Sequence, residues 1–325
     1  MSGKLRRLHI TFLLIIIWSL AVLLIKLTVG KNSTSYEERS PCFTVYFEKH
    51  TKTGLGNHLC YYAALKYAAW LTGRQPFILS PSDVTKLDKA FDLDIARVSN
   101  GIQCAVREFR HAVVYAYNVD MKLLVNVDAS VSIWLSRSSC SWRYTKPIEQ
   151  QLRRELRFRR QLTEFAETFL SANVPRGWNA TTLVRVGVHV RRGDFLSAWA
   201  VRMGFTVASK EYLERAMAYF VQRFTQVQFI VASNDLRWCR KNINASSFDQ
   251  TTVNITFSVR HSTEQDLALL ARCDHVIMTT GTFGWWAAWL ANGTTIYYRN
   301  FPRPGTHLWL RSRTSEYFPP TWIGM

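Results

Sequence analysis

The residues best suited to chemistry in this 325-residue chain are Val188-His189-Val190-Arg191-Arg192-Gly193-Asp194, where an apolar stretch breaks into two arginines, a glycine and an aspartate. A guanidinium is planar and stays charged at every physiological pH. It offers parallel N–H donors to two phosphate oxygens at once, so this cluster fits a diphosphate better than a lysine would. Residues 183–190 are mostly apolar or β-branched and read as a buried strand, and Gly193 admits the sharp turn that follows. Ligands of open α/β sheets bind at such carboxyl ends. The alternative for these residues taken alone is a solvated turn closed by its own Arg–Asp ion pair.

Other candidates fall at matching positions once the elements around them are laid out. Ser209 caps a helix to residue 224, residues 227–233 form a strand, and 236–243 form a helix. Ser262 and Gln265 make a capping box that opens a helix to residue 272; 275–279 is a strand, 285–290 a helix, and 294–298 a closing strand. Upstream, 42–48 reads as a strand, 54–57 as a tight glycine turn and 58–71 as an alanine-rich helix. Such alternation implies an α/β fold with parallel strands and helices on both faces. Asn234 and Asp235 end one strand at the ligand edge, where an Asx turn is the plain alternative. Gly281, Thr282 and Phe283 lie between a strand and a helix, where backbone N–H groups suit phosphate oxygens. Asp266 sits in the first turn of its helix, where it offsets the helix dipole. Trp285, Trp286 and Trp289 read as core.

The ends of the chain bear on compartment. Residues 10–29 are apolar apart from Lys26, and twenty residues at about 1.5 Å each span a hydrocarbon core of about 30 Å. Lys4, Arg6 and Arg7 precede the span, which by the positive-inside tendency leaves a cytosolic tail at 1–9 and sends the remainder across. All five acceptor sequons, at Asn32, Asn179, Asn244, Asn254 and Asn292, lie beyond that span. So do all six cysteines, Cys42, Cys60, Cys104, Cys140, Cys239 and Cys273, which fits an oxidising lumen without fixing any pairing. A stem covers 30–41.

The 41 Lys and Arg against 23 Asp and Glu give a formal charge of +18, which suits an anionic ligand or a membrane surface, while the anchor argues against nucleic acid. The densest basic run, Arg153, Arg154, Arg157, Arg159 and Arg160, lies on an amphipathic pattern whose apolar face is Leu152, Leu156, Leu162, Phe165 and Phe169, so it reads as the solvated face of a helix. Asp92-Leu93-Asp94 reads as an ordinary loop rather than a metal site. With arginines supplying positive charge, no metal ion and no cofactor is expected.

Three ordered blocks carry a family resemblance: His189 to Asp194; Val231-Ala232-Ser233-Asn234-Asp235 with Trp238-Cys239-Arg240; and Asp266 to Gly293. Together they resemble the motifs of the galactoside α-1,2-L-fucosyltransferases, glycosyltransferase family 11. The run from Cys273 to Ala288, with Thr280-Gly281-Thr282-Phe283-Gly284-Trp285-Trp286, is the most specific. One block departs: the family's Gly-Arg-Leu-Gly-Asn-Gln is replaced by Thr53-Gly54-Leu55-Gly56-Asn57-His58, without the arginine, which bears on acceptor choice.

The resemblance implies a GT-B-type fold of two Rossmann-like lobes, an acceptor-side lobe with linker helix at 42–180 and a GDP-fucose lobe at 181–325. It implies an inverting transfer of fucose from GDP-β-L-fucose in α-1,2 linkage to a hydroxyl of a glycan acceptor, a terminal galactose above all, in the Golgi membrane. On this reading Arg191 stabilises the leaving diphosphate and Asp194 orients it. His189, Arg192, Asn234, Asp235, Asp266, Gly281, Thr282 and Phe283 line the donor, with Asp266 accepting from guanine. Metal independence is implied as well. The general base stays open among Asp194, Asp235 and solvent. A protein- or core-glycan-directed fucosyltransferase and a silent nucleotide-sugar or glycan binder are the alternatives.

Overall fold

The computed structural model describes residues 42–45, 53–78, 81–93, 112–115, 121–126, 133–136, 140–311 and 314–325. The expected span at 10–29, the tail, the stem, Asn32, Asp94 and Cys104 lie outside them. Among the described residues no helix is long and apolar enough to cross a membrane. Pro41–Met325 forms one compact unit.

The chain builds two parallel sheets, as α/β alternation requires. The first part runs β1 (Cys42–Val45), α1 (Leu55–Thr72), β2 (Gln75–Ile78), α2 (Pro81–Ala90), β3 (Ala112–Tyr115) and β4 (Ile133–Ser136). Its strands lie in the order β2-β1-β4-β3. Three helices follow: α3 (Trp142–Thr145), α4 (Glu149–Glu155) and α5 (Arg160–Ala172). Then come β5 (Val184–Val190), α6 (Ala198–Met203), α7 (Lys210–Val221), β6 (Val227–Ser233), α8 (Leu236–Asn242), β7 (Val253–Phe257), α9 (Thr263–Ala271), β8 (His275–Met278), α10 (Thr282–Ala291), β9 (Thr295–Tyr297) and β10 (Ile323–Gly324). The second sheet has the order β10-β9-β8-β5-β6-β7, all parallel.

The interior of that sheet is a continuous apolar run because helices cover both of its faces. Val186, Val188 and Val190 of β5 pack with Tyr212, Leu213 and Met217 of α7, whereas the alternate positions Gly187 and His189 face α9 and α10. Strand β5 pairs in register with β6, Val190 opposite Ser233, and with β8, His189 opposite Met278. Two caps read from sequence are in place. Ser209 Oγ accepts from Tyr212 N at 3.3 Å, and Ser262 with Gln265 forms the full capping box. Trp285, Trp286 and Trp289 are core, packed with Leu55, Leu59 and Tyr62 of α1.

Several expectations need correction. Residues 54–57 are no tight turn: Asn57 N and His58 N both donate to Gly54 O, at 3.0 and 3.4 Å, so the helix is already wound from Leu55. The basic run does not lie on one helix. The chain breaks between α4 and α5, where Phe158 pairs with Phe91 (centroids 4.8 Å) and Arg159 N donates to Ala90 O. Leu152, Leu156 and Leu162 are buried as expected. The arginines are in part structural: Arg153 lies 4.2 Å over the Trp289 ring and donates to Trp289 O and Asn292 Oδ1. Strands β7 and β10 were not expected.

Cys60 and Cys140 form a disulfide that ties α1 to the segment before α3; Cys239 and Cys273 are buried thiols. Of the sequons, Asn179 and Asn244 are exposed, Asn254 lies half-buried in β7, and Asn292 is the exposed left-handed C-cap of α10. Asp92 is exposed, its N–H donating to Arg157 O.

Candidate active site

The carboxyl ends of β5, β6, β7 and β8 carry the sequence's candidate residues. Arg191 leaves β5 with its backbone N–H donating to Thr279 Oγ1 at 2.9 Å, while Thr279 N donates to His189 O at 3.1 Å. These two bonds fix the arginine turn to the end of β8. The Arg191 guanidinium forks onto Asp194, with Nη2–Oδ2 and Nε–Oδ1 both 2.9 Å, and its Cζ lies 5.4 Å from the Phe195 ring centroid. The two side chains are 37 % and 56 % exposed. An ion pair so open to water is worth only about 0–1 kcal/mol. The fork therefore aims the guanidinium without consuming it, and a doubly charged diphosphate can compete for it.

Arg192 is spent differently. Its backbone N–H donates to Asn234 Oδ1 at 3.0 Å, and Asn234 Nδ2 donates to Asp194 Oδ1 at 3.3 Å. The guanidinium lies 4.0 Å over the Trp238 ring and 3.6 Å from Asp235 Oδ2, largely buried. Asp235 caps α8, accepting from Trp238 N at 3.1 Å. Asn234 and Asp235 thus shape the arginine turn from the end of β6, the Asx alternative being what Asp235 does in this fold.

On the other side, Gly281 takes φ +89° and caps α10, so Thr282 and Phe283 open the helix and point their N–H groups past its start. Thr282 Oγ1 donates to Asn57 Oδ1 at 2.8 Å, and Gly56 brings α1 so close that a Cβ there would stand 2.5 Å from Phe283 N. His189 is 5 % exposed, its ring 5.1 Å from Phe283, in space that Gly284 leaves open. Burial first, and the Arg191 charge second, hold the His189 pKa down to about 3, so the imidazole is neutral at physiological pH. His189 Nδ1 and Thr280 Oγ1 are buried with no hydrogen-bond partner in the protein, and Arg192 Nε has only its 3.6 Å ion pair with Asp235. Buried polar atoms at one strand edge are costly unless a ligand completes them.

Asp266 belongs to a different corner of the same edge. Ser258 continues the ladder past β7, its N–H donating to Val231 O at 2.8 Å, and its hydroxyl donates to Asp266 Oδ1. The same hydroxyl lies 2.7 Å from His261 Nδ1, and His261 stands edge-on to Phe165 and Phe169 at 4.7 and 5.4 Å. Burial raises the Asp266 pKa to about 6, against the Ser258 hydrogen bond that lowers it. The contacts of Asp266 run to Ser258 and His261, not to the arginine turn. Ser258, His261, Phe195, Trp238, Thr279 and Asn57 were not singled out from sequence for these contacts. Asn57 carried a signal as the residue directly after Gly56, and Trp238 and Thr279 as members of the resembling blocks.

An arginine able to hold phosphate stands at one wall of this strand edge and the start of α10 at the other, with the Asp266 carboxylate apart from both beyond β7. The model of glycosyl transferase family 11 matches residues 11–325. The chain belongs to this family. Among its relatives, galactoside α-(1,2)-fucosyltransferase 1 of Rattus norvegicus is 35% identical over 272 residues, 83% of this chain and 70% of that protein. The Oryctolagus cuniculus counterpart is 30% identical over 296 residues, 91% and 78% of the two chains. Solved structures place the fold: a mutant of Arabidopsis thaliana FUT1 in complex with GDP superposes with a TM-score of 0.55 at 12% identity, over 87% of this chain and 76% of that one. POFUT1 in complex with GDP-fucose gives 0.50 at 12% identity, over 79% and 95%. Among the described residues of this family 11 member, no group of three or more His, Cys, Asp or Glu is placed to hold a metal ion.

Proposed function

We propose that this protein is a galactoside α-1,2-L-fucosyltransferase, an inverting enzyme that moves L-fucose from GDP-β-L-fucose to the 2-hydroxyl of a terminal galactose on a glycan. The observation that carries the reading is the Arg191 fork at the carboxyl end of β5, facing the Gly281–Phe283 helix start, in a chain whose relatives bear that activity in their names. The acceptor hydroxyl attacks the anomeric carbon as the bond from that carbon to the diphosphate oxygen breaks on the opposite face. Negative charge grows on the departing GDP. Arg191 and the N–H groups opening α10 meet that charge with donors already in position, so little reorganisation accompanies the step. Asp194 holds the guanidinium in aim. Neutral His189 and Thr280 supply uncharged partners to the donor, Arg192 with Asn234 and Asp235 holds the turn, and Asp266 accepts from the guanine base. The acceptor proton leaves to water or to Asp194, whose carboxylate is 56 % exposed, whereas Asp235 is 29 % exposed and held as the α8 cap and beside Arg192.

The proposal includes a GT-B arrangement divided near residue 180, with the donor in the C-terminal part and the acceptor entering from the N-terminal part. It also includes a single span at 10–29 with the catalytic region in the Golgi lumen, and a reaction that runs without a metal ion. The test is fucose transfer from GDP-fucose to terminal β-galactosides by the full-length protein in detergent and EDTA, with the product linkage read by NMR. An α-1,2 product that disappears in Arg191→Ala supports the reading. GDP binding without transfer, or transfer that requires added metal, refutes it.

A further inference from the structure

Leu196 and Trp199 are 50 % and 58 % exposed, unusual for large apolar residues, and Val201 beside them is 39 % exposed. They lie on the turn and short helix α6 directly after Asp194. Beneath them the aromatic rings are continuous with the candidate site. Phe195 sits under the Arg191 guanidinium and against Gly281, where a Cβ would touch its ring at 3.7 Å. Phe195 packs on Phe205 with centroids 4.4 Å apart, and Phe205 lies 6.2 Å from Trp199.

A sugar hung from a diphosphate held between Arg191 and Gly281 stands beside Phe195, and the surface leading outward from that point ends in the Trp199 indole. We propose that Trp199 is an acceptor platform, on which the sugar next to the terminal galactose stacks its apolar face. This inference rests on the fucosyltransferase reading and deepens it by assigning an acceptor subsite. The setting fits a saccharide better than a lipid or protein face: Arg202, three residues on from Trp199 in α6, and Asp194 and Ser197 just before that helix are exposed and offer both donors and acceptors to ring hydroxyls. A pyranose needs that pairing, one apolar face and a hydrogen-bonding edge. Trp199 is also held rather than loose, because Ser197 Oγ caps α6 by accepting from Ala200 N at 3.2 Å. With most of its side chain in water, it contributes little to folding, so its removal reads on ligand rather than on stability.

The test compares wild type with Trp199→Ala, Trp199→Phe and Trp70→Ala in the full-length protein. Trp70 is the control because it is 53 % exposed yet lies toward the far end of α1, thirteen residues, or about 20 Å of helix, from Asn57. The readouts are KM for N-acetyllactosamine, KM for methyl β-galactoside, KM for GDP-fucose, and saturation transfer from protein to the disaccharide in the presence of GDP. Trp199→Ala raises the disaccharide KM about tenfold, the loss expected for one stacked aromatic contact, while the monosaccharide and donor constants stay level. Trp199→Phe recovers most of it, and Trp70→Ala changes nothing.

An unchanged disaccharide KM in Trp199→Ala overturns the platform. So does an equal rise for the monosaccharide, or a loss of vesicle binding or of self-association with KM intact. If wild type transfers no fucose to either acceptor, the functional reading fails by itself, and saturation transfer still decides the platform. Disaccharide contact that Trp199→Ala abolishes upholds it, and absence of contact in wild type removes it.

Discussion

Gly56→Ala tests whether the two halves of the candidate site are locked together. A Cβ at residue 56 would stand 2.5 Å from Phe283 N, 2.6 Å from the Thr282 carbonyl carbon and 2.7 Å from Thr282 Oγ1, whereas ordinary contact begins at 3.4 Å. Two of those three atoms are backbone, so no side-chain rotation relieves the clash, and α1 must retreat from the start of α10 by about 1 Å. Both helices are fixed behind this point by Leu55, Leu59, Trp285 and Trp286, all buried. The cost belongs at the top of the overpacking range, about 3 kcal/mol, and includes the Thr282–Asn57 hydrogen bond. For a domain of this size that lowers Tm by about 6–10 °C. Because the displaced N–H groups are those proposed to meet the diphosphate, GDP affinity falls with it. Differential scanning fluorimetry and calorimetric GDP titration are the assays, with Gly54→Ala as control. Gly54 has nothing within 4 Å and φ −75° but is the N-cap of α1, so alanine there costs only about 0.5–1 kcal/mol and leaves GDP affinity unchanged. A Gly56→Ala protein that melts within about 2 °C of wild type and binds GDP normally would refute the close approach.

Arg191→Ala lowers kcat for fucose transfer by about 10²–10³, the usual loss of one aimed donor to developing charge; Arg191→Lys recovers little because the fork is lost, and a kcat within a few-fold of wild type removes Arg191 from the step. Asp266, with its pKa raised to about 6, binds a proton more tightly folded than unfolded, so its contribution to stability is present at low pH and lost as pH rises from about 4 through 6. Denaturant titrations across that window show Asp266→Asn gaining about 2–3 kcal/mol on wild type as pH rises, and a flat difference contradicts the buried-carboxylate account. His261, with its pKa lowered by burial, acts in the opposite sense, and because its Nδ1 lies 4.0 Å from Asp266 Oδ1 the comparison reads the coupled pair. Cys140→Ser opens a disulfide of sequence separation 80 and costs about 2–4 kcal/mol; a reductant lowers wild type by at least as much, and equal melting of the two proteins without reductant argues against the Cys60–Cys140 link.

The legible parts of this chain are those where one physical demand acts alone. Strands β5, β6 and β8 have both faces covered, so burial writes a continuous apolar run, and their carboxyl ends, with Arg191, Asn234 and the approach to Gly281, fall where that run stops. Ser209 and Ser262 are read because a cap requires a hydroxyl at one position and little else. Strand β7 is hidden because it is the sheet's edge: Val253-Asn254-Ile255-Thr256-Phe257 alternates, carries a sequon and looks like a loop. Ser258 follows it, so the partner that sets the Asp266 environment was hidden with it.

Gly56 shows the opposite ambiguity. A glycine that permits a turn and a glycine that permits another helix to approach are the same residue in a sequence, and only Phe283, 227 positions later, tells them apart. The arginine turn carries both of its readings at once. The Arg191–Asp194 pair of a solvated turn is present, and because it is solvated it is weak, so the guanidinium stays available to a stronger anion. The two accounts differ only in whether Asp194→Asn leaves Arg191 aimed. If the aspartate serves to aim it, kcat falls while the KM for GDP-fucose holds; if the pair is only a turn closure, stability falls slightly and neither constant moves.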